Sequence, residues 1–282
     1  MNSPLLASEL ETEPWSAIDP AAHEVRVVVC DMDGTLLTPA GELPEGFSAL
    51  RAVMRERGIT FVPASGRQTA TLEQMFPEET TLIPENGGLV LHDGELVAST
   101  FLEREVALDV IARGRAAKDA ELGLVLCGVR SAYVESTDPA FLAEVERYYK
   151  RLEVVEDLTA VRDDFLKVAV YDFLDARRAA SGFLAEVTGE HLTVVSGHHW
   201  VDVMNPEASK GAALRELQRA LGVSREQTVV FGDYLNDLEM IDEAELSFAM
   251  ANAHPTVVER ARYLAPSNAE HGVLAVMEHL LG

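Results

Sequence analysis

The stretch Val25 to Cys30, VRVVVC, constrains this chain more than any other, because a run of β-branched apolar residues turns polar at once into Asp31-Met32-Asp33-Gly34-Thr35. From Val27 onward no polar residue alternates with the apolar ones, the pattern of a strand buried on both faces in a parallel sheet. Open α/β sheets bind ligands outside the carboxyl ends of their strands, and the acids fall there. Pro44 and Glu45 then open a helix that carries Phe47, Leu50, Val53 and Met54 on one face and closes at Gly58. Ile59 to Pro63 reads as a second buried strand, ending in Ala64-Ser65-Gly66-Arg67. A helix to Met75 and a strand over Thr81 to Ile83 complete a β-α-β-α-β run, which predicts a doubly wound α/β fold.

The rhythm changes at Leu89. Two short strands flank Asp93-Gly94, a strong hairpin signal. Helical stretches over 105–120, 139–150 and 176–187 then alternate with strand-like segments at 124–127, 132–135, 166–171, 192–195 and 200–204. At Lys210 the first rhythm returns: a helix to Leu221, a strand over Thr228 to Phe231, then Gly232-Asp233-Tyr234-Leu235-Asn236-Asp237. The pattern predicts a mostly parallel, Rossmann-like core from residues 23–88 and 196–282, with an α+β domain, 89–195, inserted as a cap. Residues 1–22 read as a flexible extension, with Trp15 docking onto the body. Glu9, Glu11, Pro14 and Pro20 stand where a signal peptide needs a basic start and an apolar stretch.

Charge narrows the partners. Against 23 lysines and arginines stand 47 acids, a net charge of −24, and such a surface repels phosphate backbones and anionic headgroups. Nucleic-acid and membrane-surface binding are therefore excluded as general functions, and no apolar run approaches the ~18 residues of a membrane span. Cys30 and Cys127 lie apart, without metal-ligand spacing, and read as buried thiols in a reducing cytoplasm. Nothing in the sequence sets an oligomeric state.

Four polar clusters fall at strand ends or at a helix start: Asp31/Asp33, Ser65, Lys210 and Asp233/Asn236/Asp237. Taken singly they are ordinary. Asp-x-Asp-Gly after a strand is a common turn, and it is no EF-hand, since Thr35 replaces the third acid. Taken in order, DMDGTLL at 31–37, SGR at 65–67, SKG at 209–211 and GDYLND at 232–237 resemble the motifs of the haloacid dehalogenase-like (HAD) hydrolase superfamily. The insertion between the serine and lysine motifs is similar to the large α+β (type II, subtype B) cap of its Cof-type phosphatases. Pro84-Glu85-Asn86-Gly87-Gly88 resembles the segment that leads into that cap. The resemblance implies a magnesium-dependent phosphohydrolase of a small phosphorylated metabolite that works through an aspartyl-phosphate.

The residue types can support that chemistry. A carboxylate nucleophile, Asp31, divides a slow hydrolysis into two displacements. Asp33 can protonate the leaving group and then take a proton from water. Mg²⁺, which prefers oxygen donors, suits Asp31, the backbone carbonyl of Asp33, and Asp233. Lys210, Ser65, Gly66 and Asn236 form the expected phosphate-binding set, aided by the amides of the Asp33-Gly34 turn. Asp237, Gly34 and Asn86 are expected to support them. Two other readings stay open on the sequence: a sugar phosphomutase, and a non-catalytic phosphometabolite sensor of the same fold.

Overall fold

Residues 13–117, 121–195 and 198–282 are described by the computed structural model of the chain. Residues 1–12 of the expected extension, residues 118–120 at the end of an expected helix, and the expected turn residues Ser196 and Gly197 lie outside the described residues. In chain order the first elements are β1 (Glu13–Pro14), β2 (Val27–Asp31), α1 (Phe47–Glu56), β3 (Thr60–Ala64), α2 (Thr69–Met75), β4 (Leu89–His92) and β5 (Glu95–Ser99). The middle of the chain supplies α3 (Arg104–Ala116), β6 (Leu122–Gly128), β7 (Ala132–Val134), α4 (Pro139–Tyr148), β8 (Leu152–Val154), β9 (Phe165–Asp172), α5 (Ala176–Ser181), β10 (Leu192–Val195) and β11 (Trp200–Met204). The last part adds α6 (Lys210–Leu221), β12 (Thr228–Gly232), α7 (Leu238–Asp242), β13 (Leu246–Met250), α8 (Pro255–Arg260), β14 (Tyr263–Ala265) and α9 (Gly272–Leu281).

These elements gather into two units, the first made of Met1–Gly66, Phe76–Ser99 and Ser209–Gly282. Its sheet has the order β1-β14-β13-β12-β2-β3, and every neighbouring pair is parallel. Val27 and Val29 face Ala213, Leu214 and Leu217 of α6, Met240 and Ile241 of α7, and Val257 of α8. On the other face Phe61 meets Phe47 of α1 at 5.3 Å between ring centroids, and Phe231 stacks on Phe248 at 4.9 Å. Covering on both faces is the reason β2 can be uniformly apolar. The expected doubly wound parallel sheet is therefore present.

Several local expectations shift. Thr81 to Ile83 forms only isolated bridges, Ile83 to Ala64 and Leu82 to Leu91, and Pro84, which has no N–H, cannot extend the pairing. The β4–β5 hairpin belongs to the first unit, because Val90 and Ala98 pack with the apolar face of α6. Residues 13–22 are anchored rather than loose. Glu13 and Pro14 pair with Tyr263 and Leu264, Ile18 is buried, and the Trp15 ring meets His279 edge-on at 5.6 Å.

The second unit comprises Arg67–Met75 and Thr100–Ala208. Its sheet, β10-β11-β9-β6-β7-β8, is antiparallel except for the β7–β8 pair. Val168, Val170, Val201 and Val203 face Val106 and Val110 of α3 and Ala176 of α5. Val125, Ala169 and Tyr171 face Phe141 and Val145 of α4. The boundaries differ from the sequence reading at both ends. β11 pairs with β9, Met204 opposite Lys167, so this unit runs on to Ala208. The segment 67–75 joins it through Gln68, whose side chain donates to the Arg151 carbonyl and accepts from the Arg151 amide, each at 2.9 Å. The expected helix 176–187 breaks at Gly182 into α5 and a single 3₁₀ turn.

Candidate active site

Parallel pairing sets the site's frame. β2 lies between β12 and β3, with Cys30 opposite Phe231 and Asp31 opposite Ala64. The residues that leave these three strands, Asp31, Ser65 and Asp233, therefore emerge along one edge of the sheet. All the site residues expected from the sequence lie in the first unit.

Lys210 is the first residue of α6, placed there by Ser209, whose Oγ accepts from the Ala212 amide at 3.1 Å. That N-cap starts the helix with the lysine pointing inward. The Lys210 side chain has no solvent exposure. Its ammonium donates to Asp31 Oδ1 and, at 2.7 Å, to Asp237 Oδ1. Asp237 Oδ2 in turn accepts from the amides of Asp233 and Tyr234 at 2.9 and 3.1 Å. One buried carboxylate thus fixes both the lysine and the loop that carries Asp233.

The turn after β2 approaches Asp233 closely. Thr35 Oγ1 donates to Asp233 Oδ1 at 2.9 Å. Gly34 has φ +87°, and a Cβ there would collide with the Asp233 carboxylate, so two separate demands select glycine. Asp33 is exposed on this turn. Gly87 answers a similar pair of demands, with φ +89° and the Ser209 carbonyl where a Cβ would stand. Ser65 is buried; its carbonyl accepts from the Asn86 amide at 2.9 Å, and Gly66 lies against the Asn86 side chain. Asn236 Nδ2 donates to Asn86 Oδ1 at 3.1 Å, so Asn86 joins the serine loop to the Asp233 loop.

The electrostatics are those of a crowded anionic pocket. Burial pushes the Asp31 carboxyl up to about 8, with Lys210 pulling against it and Asp237 adding to the rise. Burial also raises Asp233 to about 6, opposed by the Thr35 hydrogen bond. For Lys210 burial acts downward, yet the charges of Asp237 and Asp31 outweigh it and hold the ammonium above the ordinary lysine range. Oxygens of Asp31, Asp233 and Asp237 lie within 4.8 Å of one another. Three carboxylates around one lysine leave a negative excess that a hard divalent cation with oxygen ligands would balance. The donor set fits such an ion. Because Lys210 and two amides engage the oxygens of Asp237, Asp31 and Asp233 are the better-placed ligands.

Asp31, Asp233 and Asp237 come together around Lys210, and Ser65, Asn86 and Asn236 form a second, hydrogen-bonded group with Gly66 packed against Asn86. Asp237, expected only as a support, is central. Asn236 bonds Asn86, with no bond to Lys210 among the described hydrogen bonds. Thr35 is the residue that sequence reasoning passed over, although its place in the Asp-Gly-Thr turn was a usable signal.

A family model described as haloacid dehalogenase-like hydrolase matches residues 28–277. The chain is 35% identical over 263 residues to 5-amino-6-(5-phospho-D-ribitylamino)uracil phosphatase YbjI of Escherichia coli (strain K12), covering 91% of this chain and 96% of that protein. It is 28% identical over 244 residues to the HMP-PP phosphatase of Cronobacter sakazakii, across 85% and 89% of the two chains. Among solved structures, the HAD subclass IIB sugar phosphatase BT4131 has a TM-score of 0.74 at 20% identity, over 90% of this chain and 98% of that one, a likeness of fold.

Proposed function

This chain belongs to the haloacid dehalogenase-like hydrolases, and from that premise we propose that it is a Mg²⁺-dependent phosphatase acting on a small phosphorylated metabolite through an aspartyl-phosphate on Asp31. The buried Asp31–Lys210–Asp237 arrangement beside Asp233 carries the reading. A structural ion pair does not call for three carboxylates around one lysine, whereas an anionic nucleophile that must meet an anionic phosphate calls for the divalent cation that this negative excess would hold.

In the first step an Asp31 oxygen bonds to phosphorus as the bond to the ester oxygen breaks, and Asp33 gives that oxygen a proton. In the second, Asp33 takes a proton from water as the water oxygen attacks phosphorus, which releases inorganic phosphate and restores the Asp31 carboxylate. Lys210 holds Asp31 and neutralises charge, while Ser65, Gly66 and Asn236 line the phosphoryl oxygens. Bound to Asp31, Asp233 and the Asp33 carbonyl, Mg²⁺ would supply Lewis-acid neutralisation of the phosphoryl charge.

The names of the two relatives support water as acceptor over a second sugar, since both are phosphatases. The phosphoribitylaminouracil in the first name also points the substrate search toward nucleotide-like phosphates, with sugar phosphates screened beside them. The test is release of inorganic phosphate from p-nitrophenyl phosphate with and without Mg²⁺. Phosphate release that depends on Mg²⁺ and is lost in Asp31→Asn is expected; a wild-type rate no higher than that of Asp31→Asn would refute the reading.

A further inference from the structure

Beyond the residues named so far, the turn that carries Asp33 is tied down by two asparagines from distant parts of the chain. Asn252 Nδ2, just after β13, donates to the Gly34 carbonyl at 2.8 Å. Asn252 Oδ1 accepts from the Asn268 amide at 3.0 Å. Asn268 Nδ2 then donates to the Leu37 carbonyl at 2.8 Å, a buried contact. The three bonds form a continuous strut from Gly34 to Leu37 that uses both ends of the Asn252 amide. The Leu37 amide also closes the turn on the Met32 carbonyl at 2.9 Å. The turn is also held to Asp233 through Thr35.

Gly34 follows Asp33 directly and has φ +87°, a conformation open to glycine at little steric cost, and its carbonyl belongs to the Gly34–Thr35 peptide, one residue beyond Asp33. We propose that Asn252 and Asn268 are positioning residues for Asp33: by fixing the Gly34 and Leu37 carbonyls they hold the Asp33 carboxyl where it can protonate the leaving group. The inference rests on the acid role given to Asp33 above. A loosened turn leaves Asp31, on the end of β2 and bonded to Lys210, in place. The defect should therefore fall on proton delivery, not on nucleophilic attack.

Leaving-group dependence separates the two. p-Nitrophenolate departs readily without a proton, whereas phenolate needs one, and the two aryl esters differ little in shape. The ratio of kcat/KM for p-nitrophenyl over phenyl phosphate, which reports the steps up to departure of the leaving group and not the common hydrolysis of the aspartyl-phosphate, should widen by ~10²-fold or more in Asp33→Asn. In Asn252→Ala it should widen by roughly tenfold, as expected for a displaced catalytic group. Asn268→Ala keeps the backbone bond to Asn252 and should widen the ratio less than Asn252→Ala does. Assays run well below each variant's Tm, with Mg²⁺ saturating, keep folding out of the comparison. If Asn252→Ala lowers kcat/KM for both esters equally while Asp33→Asn widens the ratio, the inference is overturned and the acid role of Asp33 stands. If Asp33→Asn leaves the ratio unchanged, the acid role fails first and the inference falls with it.

Discussion

The Lys210 ammonium lies 2.7 Å from Asp237 Oδ1, and neither side chain has any solvent exposure. Few arrangements are less forgiving, since removal of one partner strands a charge away from water. Lys210→Met keeps the bulk and deletes the charge, leaving Asp31 and Asp237 without their shared donor. The expected cost is about 3–5 kcal/mol, or a Tm lower by roughly 6–20 °C for a chain of this size. Thermal unfolding at pH 8 without Mg²⁺ measures it. A drop below about 2 °C would show that the carboxylates around Lys210 already carry protons.

Gly34→Ala tests the close approach of the turn to Asp233. The new methyl would have to occupy the space of the Asp233 carboxylate, and φ +87° adds backbone strain of about 1–2 kcal/mol. Asp233 can swing away only by giving up its bond from Thr35. We expect a large rise in the Mg²⁺ concentration needed for half-maximal phosphatase activity, with a smaller fall in Tm. An unchanged Mg²⁺ requirement would mean that Asp233 is not a ligand.

The site was legible in the sequence where chain order itself decides geometry. Asp31, Ser65 and Asp233 each follow an apolar strand directly, and parallel pairing delivers them to one edge. Lys210 was legible because Ser209 marks a helix start. Bonds between distant loops left no trace in the sequence. Asn252 and Asn268 sit among ordinary loop residues, and only the folded chain brings them to the Gly34–Leu37 turn. The unit boundaries slipped for the same reason. β11 has the apolar pattern of any strand, and its membership in the second sheet depends on register with β9.

The second unit has a buried charge pair of its own. Lys167 on β9 and Asp202 on β11 are 3.5 Å apart with side chains 5% and 8% exposed. Either Lys167→Met or Asp202→Leu alone should destabilise by about 3–5 kcal/mol, because each leaves the other charge buried. The double variant should cost less than the sum by roughly 1–3 kcal/mol. Urea unfolding of the four proteins completes the cycle. Strict additivity would show that the two side chains do not interact.

Metal and proton should compete for the same carboxylates. Asp31 and Asp233 are raised to about 8 and about 6 in the folded chain, from an ordinary value of 3.8. Between about pH 4 and pH 8 the folded state therefore binds more protons than the unfolded state, so stability without metal falls as pH rises. Surface repulsion at a net charge of −24 acts in the same direction, but it is screened by salt, whereas buried groups are screened much less. In 0.5 M NaCl the metal-free Tm should still fall from pH 5 to pH 8, and Asp31→Asn/Asp233→Asn should flatten that fall. Mg²⁺ must displace the protons, so the Tm rise it causes should be small at pH 5 and largest at pH 8. A Mg²⁺ effect of equal size at both pH values would show that these carboxylates are already ionised without metal, and that Lys210 alone balances the cluster.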